Sequence, residues 1–184
     1  MSDSNKFTDT AAFRIAAIAV LSAIVTIFTV AVRIPIAPTR GYINLGDVAI
    51  YFAAFVFGPV SAFLAGGIGT AFADIIGGYG QWAPISFFVH GLQGFLLGIV
   101  YNLILSREKN NAAGIFITGL TCFLTGTIIM ASGYFLAGVF MVGPGAALVE
   151  VPGNIIQNIA GVTGGLVLTL SVRKAYPPVV NFRW

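Results

Sequence analysis

Few residues in this chain can do chemistry, and each stands within or beside a long uncharged run. Glu150, Asn154 and Asn158 recur at i, i+4 and i+8 with Gln157 beside them, so one helix face would carry an acid and up to three amides. Asp74 and His90 are isolated in the same way. Such groups are costly in hydrocarbon unless paired, and by default they mark a ligand site or an ion path. Tyr42, Asn44, Tyr79, Gln81 and Trp82 fall between the apolar runs. Aromatic faces with a few hydrogen-bonding groups suit reversible capture of a small, flat, polar molecule. A plainer reading remains open, in which Tyr42, Tyr79 and Trp82 form an interfacial aromatic belt and Glu150 pairs with Arg33 or Arg40.

Other chemistries lack their parts. Gly66-Gly-Ile-Gly69 is not followed by the Gly-Lys-Ser/Thr of a phosphate loop. His90 has no second imidazole or thiolate at ligand spacing, so no metal is expected. Ser86 precedes His90 without the strand-to-helix elbow of a hydrolase nucleophile. The single Cys122 rules out an internal disulfide, and among Leu120, Phe123 and Leu124 it reads as a buried apolar residue. Neither an enzyme nor a resident cofactor is expected.

The elements that must position these groups are membrane helices. Of 184 residues 58% are hydrophobic and 8% charged, against about a quarter charged in a soluble domain. Soluble enzyme, nucleic-acid binder and disordered tail are thereby set aside. The pI near 9.2 reflects a net charge of +3 carried at segment ends, as membrane orientation demands. Read as fence posts, the charges leave uncharged runs of 18 to 40 residues, each reaching the roughly 18 to 20 needed to cross a bilayer. Gly58-Pro59 and the turn-rich stretch 77–84 subdivide two of them. The expected architecture is all-α and integral to the membrane, a single domain with six spans at 15–32, 47–57, 60–77, 85–106, 114–141 and 149–172. The second is short, so it either begins nearer Tyr42 or lies obliquely under its neighbours.

Positive charges set the orientation. With both termini cytoplasmic, Lys6, Arg14, Arg107, Lys109, Arg173, Lys174 and Arg183 are inside and Arg33 and Arg40 outside. Residues 1–13, 107–111 and 173–184 are then cytoplasmic, and 33–46 form an outer loop. A five-span rival fusing the second and third spans satisfies the charges as well, but its helix would run through Gly58-Pro59 for about 46 Å, against a core of about 30 Å. In the six-span frame Asp74, His90 and Glu150 all fall in the outer half.

Small residues prepare close contacts. Gly58 and Ala62, Gly69 and Ala73, Gly94 and Gly98, and Gly161 and Gly165 are spaced for packing within the bundle. Ala12, Ala16, Ala19 and Ala23 form one stripe along the first helix, which suits either a neighbour in this chain or another membrane subunit. Phe57-Gly58-Pro59 is echoed by Val142-Gly143-Pro144, too short a match to establish a repeat.

Taken together, Gly41-Tyr-Ile-Asn-Leu-Gly-Asp47, Phe57-Gly58-Pro59, the stretch 66–74, Trp82-Ala-Pro84, His90-Gly-Leu-Gln-Gly94 and Glu150-Val-Pro-Gly-Asn154 with Gln157 resemble the S components of energy-coupling factor vitamin transporters. The resemblance covers nearly the whole chain and looks nearest to the branch assigned to hydroxymethylpyrimidine, pyridoxine-like and related precursors. It implies a six-helix subunit of the prokaryotic plasma membrane that binds a vitamin from outside. Delivery would need a transmembrane coupling protein and two cytoplasmic ATPases. The family's Ala-x-x-x-Ala motif docks on that coupling protein and corresponds here to Ala12, Ala16, Ala19 and Ala23. The loop 33–46 would gate a pocket formed by Tyr42, Asn44, Asp74, Tyr79, Trp82, His90, Glu150, Asn154 and Asn158. One subgroup uses a reactive cysteine, a role that mid-span Cys122 does not match. The rival from another class is a self-sufficient proton-coupled transporter with Asp74, His90 and Glu150 as relay. A lipid-modifying membrane enzyme would need a paired-acid, metal or nucleophile cluster that the sequence does not assemble.

Overall fold

The computed structural model describes residues 10–105 and 112–184; Lys6, Arg107, Lys109 and the expected loop 107–111 lie outside the described residues. Helix α1 (Ala11–Ala31) leads into a two-stranded antiparallel hairpin, β1 (Arg33–Ile36) and β2 (Gly41–Asn44). Then follow α2 (Gly46–Phe57), α3 (Pro59–Gly77), α4 (Ala83–Leu105), α5 (Ala112–Val142), α6 (Pro144–Ala175) and a 3-10 turn (Pro177–Phe182). Five of these helices are long and apolar enough to cross a membrane, and the class expected from composition is the one observed.

The ends follow from local chemistry. Thr10 opens α1, its hydroxyl accepting from Phe13 N–H at 3.2 Å. Gly78, left-handed at φ 81°, closes α3 while Tyr79 N–H reaches back to Asp74 O at 2.8 Å. Gly58 and Gly143 join α2 to α3 and α5 to α6 as one-residue connections. Both have φ above 90° with ψ extended, a conformation essentially confined to glycine, and each is followed by proline at the first helical position. The short sequence echo is therefore a repeated way of turning between helices, at opposite ends of the bundle.

Three expectations change. The loop 33–46 is mostly strand, with Arg33 opposite Asn44 and Ile36 opposite Gly41, so α2 starts at Gly46 and does not extend back to Tyr42. Helix α2 is only about 18 Å long, and most of its residues are buried, including Ile50, Tyr51, Ala54 and Phe55 at 0% exposure. Helices α5 and α6 have 31 and 32 residues, about 46 to 48 Å, so length alone does not exclude a fused second and third span. The turn at Gly58 excludes it. The sixth helix also begins five residues earlier than expected, which puts Glu150 in its second turn rather than at its start.

Packing relies on small residues, as expected where lipid supplies no hydrophobic drive between helices. A Cβ on Gly94 would lie 2.6 Å from the Ala62 carbonyl oxygen, one on Gly69 2.6 Å from Val25 Cβ, and one on Gly165 2.5 Å from Tyr51 Cβ. Large apolar side chains instead face outward, Phe140 at 89% and Phe116 at 70% exposure. The ends of the described chain meet at one end of the bundle. Phe13 packs edge-on against Phe182 and Trp184, Arg14 lies over the Trp184 ring, and Trp184 N–H donates to Phe57 O. The hairpin lies at the opposite end, with Asp74 and Glu150.

Candidate substrate-binding site

The hairpin roofs a small cavity between the helices. Ile36, Gly41, Tyr42 and Asn44 line it from above, Thr29 from α1, and Thr70 and Asp74 from α3. Trp82 closes one side just before α4, Ser86 and His90 follow down that helix, Met130 and Tyr134 come from α5, and Glu150 and Asn154 from α6. Seven of the nine residues expected at a site thus converge on one space: Tyr42, Asn44, Asp74, Trp82, His90, Glu150 and Asn154. Tyr79 does not. It lines an outer vestibule with Arg40, Gln81 and Trp82. Asn158 lies one turn deeper and is wholly buried. His90 is also deeper than expected, because α4 begins at Ala83 and puts it about 10 Å down the helix.

Two carboxylates help to hold the roof. At the hairpin tip the Thr39 hydroxyl accepts from Gly41 N–H at 3.2 Å and donates to the Glu150 carboxylate. A Cβ on Gly41 would meet Glu150 Oε1, so the carboxylate end would have to shift to admit one. On the other side Tyr42 O–H donates to Asp74 Oδ1 at 2.6 Å. Burial, and then the Asp74 carboxylate, push the Tyr42 hydroxyl well above the usual phenol range, so it remains a donor. The Arg33 guanidinium lies 5.1 Å from the Tyr42 ring centre and 5.9 Å from that of Tyr79, and donates to Ala73 O at 3.0 Å. Glu150 therefore meets Thr39 and neither Arg33 nor Arg40. Trp82, at 3% exposure with its ring 5.9 Å from Tyr134, belongs to the cavity wall and not to an aromatic belt.

Below the cavity a polar network fastens the floor. Gln157 accepts from Asn44 N–H at 2.8 Å and donates to Asp47, tying hairpin, α2 and α6 together. His90 Nδ1 lies 2.9 Å from Gln93 Oε1 and 3.3 Å from Asp47 Oδ1; facing two acceptors, it carries the proton. Asn158 Oδ1 accepts from Tyr51 O–H at 2.8 Å and Gln93 Nε2–H at 2.9 Å, and Asn158 Nδ2–H donates to Asn154 O at 2.9 Å. Buried groups so connected hold one arrangement, which is what a preformed site requires. Among the described residues, no three His, Cys, Asp or Glu side chains gather where they could hold a metal.

Sequence reasoning missed Thr29, Thr70, Ser86, Met130 and Tyr134 in the wall and Asp47, Tyr51 and Gln93 in the floor. Only Gln93 and Asp47 carried a signal, as buried-type polar residues within the quoted motifs.

A roofed polar cavity inside a bundle of apolar helices defines a membrane protein that binds a small solute. Residues 10–174 match the family model described as the S component of the ECF-type riboflavin transporter, and the chain belongs to that family. A protein of Pyrococcus woesei, described only as an uncharacterized protein in the gap 3′ region, is 34% identical over 157 residues, covering 85% of this chain and 99% of its own length. The thiamine precursor transporter HmpT of Lactococcus lactis subsp. cremoris (strain MG1363) is 33% identical over 141 residues, covering 76% of this chain and 75% of its own length. The chain is thus a multi-pass protein of the prokaryotic plasma membrane, a substrate-binding transport subunit of vitamin type and not an enzyme, and its family implies partners from an ECF module.

Proposed function

We propose that this chain captures a vitamin precursor from outside the cell, of the hydroxymethylpyrimidine, pyridoxine-like or related heterocyclic kind, for an ATP-driven importer. The observation that carries this reading is the cavity roofed by the hairpin, polar inside and tied to the roof through Glu150 and Asp74. The similarity to a thiamine precursor transporter supports the substrate class. In this reading the hairpin end faces outward, and residues 1–13 and 173–184 are cytoplasmic. Residues 33–46 are the gate, and Tyr42, Asn44, Asp74, Trp82, His90, Glu150 and Asn154 contact substrate. Tyr79 guards the approach and Asn158 supports the floor.

The energy comes from a partner. Ala12, Ala16, Ala19 and Ala23 are all exposed on the outer face of α1, which favours docking to another subunit over packing within this chain. The occupant of that face is a transmembrane coupling protein carrying two cytoplasmic ATPases. The test is to purify the full chain alone in detergent, extract it with solvent and identify the released small molecule by mass spectrometry. A single-ring vitamin precursor, released in near-stoichiometric amount and rebinding without nucleotide, is the expected result. Failure of every candidate heterocycle to bind the folded protein would contradict the reading.

A further inference from the structure

Asp47 lies beneath the cavity wall, and the hydrogen bonds that reach it fix where the protons around it sit. A backbone carbonyl can only accept, so Asn158 Nδ2, 2.9 Å from Asn154 O, is the donor end of that amide and Asn158 Oδ1 the acceptor. Gln93 Nε2 then donates to that oxygen at 2.9 Å, which turns Gln93 Oε1 toward His90 Nδ1. His90 Nδ1 must therefore donate. From the other side, the backbone N–H of Asn44 can only donate, so Gln157 Oε1 accepts it and Gln157 Nε2 donates to Asp47 Oδ2. The remaining oxygen, Oδ1, faces the His90 Nδ1–H at 3.3 Å. Both oxygens of Asp47 meet donors, the arrangement of a carboxylate and not of a carboxylic acid.

That carboxylate is 1% exposed and stands in the first turn of α2, where the helix N-terminus favours negative charge. A buried charge is strongly destabilising unless it is also paired. Among the described residues His90 is the group at ion-pair distance from Asp47, and no Lys or Arg is. Arg33 is committed to Ala73 O and the rings of Tyr42 and Tyr79. An imidazole protonated at both nitrogens balances Asp47, and a neutral one does not. With Nδ1 held from below, the outer edge of the ring, which carries Nε2, is the part left to line the cavity. The other ionisable groups on that space are Asp74 of α3, Glu150 of α6, Tyr42 of the hairpin and Tyr134 of α5, whose ring lies 5.6 Å from the imidazole and whose hydroxyl is 2.7 Å from that of Ser86.

Resting on the reading of the cavity as the substrate site, we propose that Asp47 is a positioning residue that holds His90 as an imidazolium, so that Nε2–H is a fixed, charged donor for an acceptor atom of the substrate. The cavity then sets one cationic donor against the acids Asp74 and Glu150, and a solute that offers only donors at that point is rejected. Asp47 acts through His90 and does not itself touch the substrate.

His90 is the only histidine of the chain, so full-length protein carrying ring nitrogen-15 histidine, purified in detergent through a tag without histidine, gives NMR signals from this one residue. At neutral pH both ring nitrogens should be protonated. Asp47→Asn keeps the size and removes the charge, and should leave Nδ1 protonated while Nε2 loses its proton. Saturating hydroxymethylpyrimidine should move the Nε2 signal far more than that of Nδ1. By calorimetry, Asp47→Asn should bind this probe about tenfold to a hundredfold more weakly, the effect of losing one charge-assisted hydrogen bond. The unaltered protein should lose affinity by a similar factor as rising pH removes the Nε2 proton, whereas Asp47→Asn should show no such step. Should Asp47→Asn not fold, the spectrum and the pH series of the unaltered protein still decide. An Nε2 without a proton at neutral pH, a probe that binds and leaves Nε2 unmoved, or an affinity without the step overturns the role of Asp47 and leaves the binding-subunit reading standing. No binding of the probe by folded protein contradicts that reading, and the donor role with it.

Discussion

At the scale of single residues, the acid and the amide on α6 do different work although they sit one turn apart. Glu150 is already engaged by Thr39, so it serves the roof as much as the cavity, whereas Asn154 Nδ2 has no protein partner. Asn154→Ala should therefore weaken substrate binding about tenfold to a hundredfold, the effect of losing one or two buried hydrogen bonds at about 1 to 3 kcal/mol each. Glu150→Gln keeps an oxygen for Thr39 and should cost a neutral ligand less than Asn154→Ala, but a cationic one more. Calorimetry on the two folded variants checks both, and unchanged affinity in Asn154→Ala would show that the row is structural. The i, i+4 spacing made this row legible, because acids and amides are rare enough in hydrocarbon to be conspicuous. Thr70 was not legible. Its hydroxyl bonds the Gly66 carbonyl within its own helix at 2.7 Å, as such residues do wherever they face. Tyr134 and Met130 look in sequence like any other apolar lining.

At the scale of elements, the sequence carried the long helices plainly and the hairpin hardly at all. Four-residue strands interrupted by Pro35 are too short to show alternation, and the turn Pro38-Thr-Arg-Gly41 reads equally well as an unstructured loop. Helix ends at Gly58 and Gly78 were readable because glycine there meets a backbone requirement, and Gly143-Pro144, the same turn again, marks the start of α6 although the expected span opened five residues later. The alanine stripe on α1 lies open on the bundle surface, which leads to a separation of effects. Replacing Ala16 or Ala19 with Trp puts bulk where two helix backbones would have to approach, so the contact cannot close. Cellular uptake should fall to background, while calorimetry on the isolated variant gives the affinity of the unaltered protein. Loss of both together would assign the stripe to folding of this chain.

For the whole molecule, the meeting of Phe13 and Arg14 with Trp184 brings the chain back to the end at which it entered, with the hairpin at the other. That arrangement requires an even number of passages and fits the six-span reading, short α2 included. In a Cys122→Ser background, a membrane-impermeant thiol reagent added to intact cells should label Arg40→Cys and spare Tyr176→Cys. The reverse pattern would invert the orientation. Above all, in the proposed function this chain binds substrate and a partner drives transport. The direct measurement is accumulation of radiolabelled hydroxymethylpyrimidine in proteoliposomes carrying an inward proton gradient, with and without an ECF coupling protein and its ATPases. The chain alone should retain no more than its stoichiometric bound ligand, and accumulation should require the module and ATP on the side of the termini. Gradient-driven, ionophore-sensitive accumulation by the chain alone would contradict the account and assign Asp74, His90 and Glu150 to a proton relay.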